Sequence, residues 1–150
     1  MTDSFALIPA SYVFMLRHDR GDAEVLLQLR ANTGWMDGHW AAGVAGHVDK
    51  GETAVEAAIR EGREELGVEL LDLRFEVCMQ QTRRSGPIDE RIDFFFTGRR
   101  WRGEPRIMEP ERCDDLRWFS LSRLPANLVD YERAALRSIG AGEHYVAFGF

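Results

Sequence analysis

Apolar residues run densely from Phe5 to Leu16, with β-branched and aromatic side chains among them, and "EVLLQLR" (24–30) resumes the pattern after "HDRGD". This predicts two antiparallel strands joined by a turn. The next stretch, "ANTGWMDGHWAAGVAGH" (31–47), is broken by glycines and predicts a loop leading into a short strand. From 53 to 66 the apolar spacing becomes helical. Val55, Ala58, Ile59, Gly62 and Leu66 share one stripe, expected to pack on a sheet. Thr53 and Glu56 predict a capping box, and Gly67 suits the left-handed position that ends the helix. "LRFEVCMQQT" (73–82) and "RIDFFFTGRRW" (91–101) predict strands connected through 85–90. "LRWFSL" (116–121) predicts a short strand, 129–139 a second helix and the last eleven residues a final strand. Phe94, Phe95, Phe96 and Trp40 are expected in the core. Strands outnumber helices, and the helices sit in separate connections. The expectation is an α/β chain with a mixed sheet and helices on its faces, one domain over 1–150.

Composition narrows the function. Hydrophobic residues make up 45% and charged residues 29%, which fits an ordinary globular domain. A net charge of −6 argues against a long nucleic-acid partner, which needs a basic face. It leaves room for a small anionic ligand. Cys78 and Cys113 stand far apart in no metal spacing and read as reduced thiols. The opening "MTDSFALIPASYVFML" lacks a basic region and is broken by Pro9, so neither a signal peptide nor a membrane span is expected. A cytoplasmic monomer or homodimer without a membrane partner is the expectation.

The helix carries an unusual charge load. Glu61, Glu64 and Glu65 are related by i, i+3 and i+4 and share a face, where like charges cost a few tenths of a kcal/mol per pair. Ala57 lies one turn earlier on that face and should leave it uncrowded. A solvated acidic face is the plain explanation. The alternative is that converging carboxylates bind a hard divalent cation, which turns repulsion into coordination. The surroundings favour the second: Gly46, Glu52, Arg60, Glu61, Glu64, Glu65 and Gly67 spell G-x5-E-x7-R-E-x2-E-E-x-G.

That spacing resembles the Nudix box, G-x5-E-x7-R-E-U-x-E-E-x-G-U, with U a bulky apolar residue. The resemblance implies a Nudix-type α/β/α sandwich around a mixed sheet. It implies hydrolysis of a nucleoside diphosphate linked to another moiety, with Mg²⁺ or Mn²⁺ as cofactor. Carried over, Glu61, Glu64 and Glu65 are metal ligands, with the Gly46 carbonyl adding a backbone oxygen. Glu61, Glu64 and Arg60 belong to the catalytic set, and Glu61 is the first choice of base. Glu52 and Arg60 form an ion pair that sets the loop against the helix, and Gly67 ends the motif. The chain departs from the pattern at Gly62, where glycine costs roughly 1 kcal/mol of helix propensity, and in "GVAG" (43–46).

Beyond the box, "WRGEPRIMEPE" (101–111) resembles a segment of the MutT-type members. It implies a further metal-binding carboxylate at Glu109, with Glu104, Glu111, Asp114 and Asp115 as competitors. "LPAN" (124–127) resembles the place where that type reads a purine. Asn127 can donate and accept at once; its plainer role is a turn residue. Trp35 in the glycine-rich loop is a stacking candidate. Arg30, Arg83, Arg84 and Arg91 are candidate phosphate or ribose contacts, or solvated strand-end charges. These points direct the substrate reading to a purine nucleoside triphosphate, normal or oxidised, cleaved to monophosphate and pyrophosphate. The alternatives are ADP-ribose, a sugar nucleotide or a dinucleoside polyphosphate. A different class is a non-catalytic nucleotide-sensing module, which would be expected to lose box carboxylates; here all are present.

Overall fold

The computed structural model describes residues 4–19 and 21–150. The first three residues of the amino-terminal reading, and Arg20 of the first turn, lie outside them. The first apolar run forms β1 (Ile8–Asp19) and the second β2 (Asp22–Arg30). They pair antiparallel only near their turn, from Leu16 opposite Val25 to Asp19 opposite Asp22. Beyond it they splay. The chain returns into the fork along β2 as β3 (Trp40–Ala42), bends at Gly43, and leaves along β1 as β4 (Val44–His47). A Cβ at Gly43 would stand 3.3 Å from both the Leu26 carbonyl and a Leu66 methyl, so the bend needs a small residue. The stretch expected as loop and one strand therefore holds two.

The rest of the chain gives α1 (Ala54–Leu66), β5 (Glu69–Leu71), β6 (Arg74–Gln81), β7 (Arg91–Gly98), β8 (Arg100–Arg102), β9 (Cys113–Ser120), α2 (Asp130–Ala141) and β10 (Tyr145–Phe148). The main sheet runs β10-β6-β7-β1-β2-β3, with β4 also on β1 and β9 also on β2. β7 lies parallel to β1 and β10 parallel to β6, so the sheet is mixed. The strand expected over 91–101 stops at Gly98; its tail, β8, pairs with β5 in a separate ribbon. β9 starts at Cys113 rather than 116, because Cys113 and Asp115 already pair with Arg30 and Leu29.

Alternation along β1 sets the layers. Ala10, Tyr12, Phe14 and Leu16 face one side, with Phe95, Val77 and the α2 residues Tyr131 and Ala135. Val13 and Met15 face the other, with Phe96, Val44 and the α1 residues Ala58 and Leu66. One helix covers each face, giving the α/β/α sandwich. Phe95, Phe96 and Trp40 are buried, while Phe94 is only half-buried.

The packing face of α1 differs from the expected stripe. Val55 is 43% exposed and Ile59 half-buried, whereas Ala57, Ala58, Gly62 and Leu66 are buried. Ala57 closes against the interior instead of clearing space over the acids. Small residues bring the helix close to its neighbours: a Cβ at Gly62 would stand 2.8 Å from a Leu70 methyl. Close packing thus requires the glycine that helix propensity disfavours. Polar ties hold the rotated face in. The Ser11 hydroxyl donates to the Ala54 carbonyl at 2.7 Å, and the Ala45 N–H to Glu65 at 2.8 Å. The capping box at Thr53 and Glu56 and the left-handed Gly67 (φ 67°) form as expected. No described helix is long and apolar enough to cross a membrane.

Candidate active site

The splayed hairpin opens a cavity of about 650 Å³, lined by residues of β1, β2, β4, both helices and the 104–112 loop. Glu61, Glu64 and Glu65 line it from α1, and Gly46 from β4. Glu61 presses against Gly46 so closely that an added Cβ there would fall 2.3 Å from the carboxyl carbon. Only glycine allows that approach. Arg60 organises this end. Its Nε and one terminal nitrogen donate to the two oxygens of Glu52 at 3.1 and 2.7 Å. That same nitrogen donates to the His47 carbonyl at 3.1 Å, tying β4 to the helix. Its other terminal nitrogen donates to Glu61 at 2.7 Å and to Glu64 at 3.3 Å. Glu52 is held below the usual carboxylate range by these bonds from Arg60 and by the Asp49 N–H.

The loop after β8 brings in Glu109. The Arg106 N–H donates to the Leu66 carbonyl and the Met108 N–H to the Glu65 carbonyl. The loop thus satisfies carbonyls that the end of α1 leaves without partners. Glu109 then lines the same cavity as the helix carboxylates. The acids crowd one another. Burial pushes the Glu65 carboxyl well above its usual range against the Ala45 N–H bond, and the charges of Glu61 and Glu109 push the same way. Glu61 is raised chiefly by burial, with Arg60 opposing and Glu64 and Glu109 adding to the rise. Among the described residues, no three acids, histidines or cysteines are already drawn together as a metal cluster. Arg60 holds Glu61 and Glu64 in its own bonds instead. The donor set of four carboxylates and a backbone carbonyl could hold a hard divalent cation once those oxygens turn inward.

The Trp35 loop is tied together by its own hydrogen bonds. Asp37 accepts from the Thr33 N–H and hydroxyl and from the Gly34 N–H, at 3.0, 2.6 and 2.9 Å. Arg30 lines the cavity but spends two donors on this loop, reaching the Trp35 carbonyl at 2.8 Å and the Thr33 hydroxyl at 3.1 Å. Trp35 lines the cavity, with the Arg83 guanidinium 4.3 Å from its ring centre. Asn127 is placed elsewhere. It is exposed, does not line the cavity, and donates its amide to the Gly38 carbonyl at 2.8 Å. It pins the back of the loop that carries Trp35.

Sequence reasoning missed Tyr12, Gln28, Tyr131 and Glu132, all of which line the cavity. Tyr12 and Tyr131 meet through their hydroxyls at 3.3 Å, and Arg91 donates to Tyr12 at 2.8 Å. Glu132 is 2% exposed and accepts the Ala42 N–H at 2.6 Å. Burial, opposed by that bond, pushes its carboxyl up to about 8. One signal was available: Glu132 sits at helical spacing from Ala135, Leu136 and Ile139, an acid on an otherwise apolar face.

Comparison with known proteins places this architecture. The NUDIX domain profile matches residues 7–139. A MutT NUDIX hydrolase from Burkholderia pseudomallei superposes with a TM-score of 0.78 at 26% identity, over 88% of this chain and 97% of that one. The NUDIX domain of Shewanella oneidensis NrtR, solved with ADP ribose, shares the fold at 16% identity, with a TM-score of 0.70 over 91% of this chain and 88% of that one. Among curated proteins, isopentenyl-diphosphate Delta-isomerase of Jannaschia sp. (strain CCS1) is 32% identical over 115 residues, 75% of this chain. This chain spans 63% of that relative's length. With the box glutamates, Arg60 and Gly46 all facing or bracing one cavity, the chain belongs to the NUDIX family.

Proposed function

We propose that the protein hydrolyses a purine nucleoside triphosphate, normal or oxidised at the base, to the monophosphate and pyrophosphate. One observation carries this reading: a single cavity joins the α1 carboxylates and Glu109 to the indole of Trp35 and to arginines 30, 91 and 112. The donor set fits Mg²⁺ or Mn²⁺: Glu61, Glu64, Glu65 and Glu109 line one cavity together with Gly46, and carboxylate and carbonyl oxygens are the donors a hard divalent cation takes. When bound, such ions lower the pKa of a water and offset the charge of the diphosphate. The chain's own part is positioning and proton transfer. Arg60 fixes Glu61 and Glu64 against β4. Glu61 takes the proton of the attacking water. Arg30 and Trp35 hold the nucleoside, with stacking contributing ~1–3 kcal/mol.

The named relative supports a second reading, an alkenyl diphosphate whose diphosphate occupies the same end. Cys113 lines the cavity, yet its thiol donates to the Asp115 carbonyl at 3.1 Å and is pushed up by burial. The test is ³¹P NMR of products with Mg²⁺ present. A purine nucleoside triphosphate should give monophosphate and pyrophosphate in equal amounts. Orthophosphate and a diphosphate, or turnover of isopentenyl diphosphate alone, would reject the proposal.

A further inference from the structure

The bottom of the fork holds a second, unassigned constellation. Two side chains from distant elements clamp the same residue, Ala42 of β3. Glu132 of α2 accepts the Ala42 N–H at 2.6 Å through one carboxyl oxygen. Gln28 of β2 donates its amide nitrogen to the Ala42 carbonyl at 3.1 Å and to the Gly43 carbonyl at 3.2 Å. Each clamp fixes an orientation. Gln28 has its amide nitrogen committed, so its carbonyl oxygen is the free end. Glu132 commits one oxygen to that bond, which leaves its other oxygen available to a ligand. Both residues line the cavity, beside Tyr12, Tyr131 and Trp35.

We propose that Glu132 and Gln28 form a paired donor–acceptor edge that reads the nucleobase, with Glu132 donating from its free carboxyl oxygen and Gln28 accepting. The proposal rests on the nucleotide reading above. A base with an adjacent acceptor and donor on its edge matches the pair, as do adenine (N1 and the exocyclic amine) and guanine (O6 and N1–H). The donor role requires the acid form of Glu132. Its setting provides it: burial raises the carboxyl to about 8. The charged and titratable groups facing it are Arg30 on β2, Arg91 and Asp93 on β7, and Tyr12 and Tyr131. The Ala42 N–H bond, Arg30 and Arg91 favour the anion, Asp93 favours the acid, and burial outweighs the three that favour the anion. As a neutral acid Glu132 presents donor beside acceptor; as an anion the pair would present two acceptors and reject the adenine edge.

The probe set is ATP, GTP and the triphosphate of unsubstituted purine riboside, which lacks the exocyclic group. The wild-type protein should prefer the better of ATP and GTP over the unsubstituted analogue by about 10- to 100-fold in kcat/KM, the range expected when a buried polar group is left unpaired. Glu132→Leu should bring that ratio close to one, with the Mg²⁺ dependence retained. Glu132→Gln keeps both an acceptor for Ala42 and a donor for the base. It should restore most of the ratio and abolish the fall in kcat/KM that the wild type shows above about pH 8. Thermal unfolding of both variants identifies a folding defect, and the Gln variant keeps the test alive if the Leu variant is unstable. A Leu variant that discriminates like wild type would overturn the proposal and leave the nucleotide reading intact. So would a folded Gln variant with no recovery over Leu or with an unchanged alkaline limb. A wild-type protein that cleaves no nucleotide rejects the nucleotide reading and this proposal with it.

Discussion

The acidic end of the cavity and its base end are assembled in opposite ways. At the acidic end Glu61, Glu64 and Glu65 come from one helix within five residues, braced by Arg60 beside them. At the other end Gln28, Ala42 and Glu132 come from β2, β3 and α2, separated by up to 104 positions. The first set has a fixed spacing because helical geometry allows no other. The second meets only because β1 and β2 splay and the chain folds back at Gly43. A group needed at phosphorus can therefore be written as a local motif. A group that reads the rest of the substrate depends on long-range packing.

The comparison predicts a descending series of effects. The largest is at the acidic end. Glu64 is 56% exposed, so Glu64→Gln should leave the fold unchanged while kcat falls ~10²–10³-fold, the cost of removing a group that stabilises transition-state charge. Circular dichroism paired with steady-state turnover checks both halves. Arg60→Ala should come next, with a loss of about 10²-fold, since misplacing Glu61 and Glu64 by even an ångström disturbs the attack geometry. Its signature is a lower kcat with little change in the Glu132-dependent base preference.

The base end should show itself in stability. The Glu132 carboxyl is raised from an ordinary 4.5 to about 8 in the folded chain. Between those values the unfolded chain holds fewer protons than the folded one, so stability falls as pH rises through the window and levels off above about 8. Glu132→Gln should flatten that slope, as read from urea midpoints at several pH values. Gly62→Ala should be smaller, about 1 kcal/mol destabilising, because crowding against Leu70 outweighs the gain in helix propensity. A stabilised Gly62→Ala protein would show that Leu70 moves aside freely. Asn127→Ala should be smallest, below ~1 kcal/mol in stability for one exposed hydrogen bond. Its base preference separates two assignments: a shift as large as that of Glu132→Leu would return the reading role to Asn127.

What was legible in the sequence follows the same division. The longer strands, both helices, the capping box and the box carboxylates are legible because each obeys a local period or spacing, whereas the short strands β3, β4, β5 and β8 are set by long-range pairing. Glu109 could be reached through its segment, and the backbone bonds to Glu65 and Leu66 explain how a loop residue arrives beside α1. The α1 face was misjudged because hydrophobicity pointed to Val55 and Ile59, while close approach selected Ala57, Ala58 and Gly62. The resemblance of "LPAN" points to Asn127 as a base contact, with a turn residue as its plainer role, and its bond to the loop agrees with the plainer one. The Gly38 carbonyl that engages it is 89 positions away. Glu132 was overlooked because an acid in a helix ordinarily faces water, and only burial under β3 gives it another role.

The central claim is that a cavity with diphosphate chemistry at one end and a base-reading edge at the other acts on nucleoside triphosphates. The most direct measurement is the set of kcat/KM values for normal and oxidised purine nucleoside triphosphates, ADP-ribose, a sugar nucleotide and a dinucleoside tetraphosphate, under one Mg²⁺ concentration. The account predicts that a purine nucleoside triphosphate leads the set by tenfold or more. ADP-ribose ahead of every triphosphate by a hundredfold would contradict it.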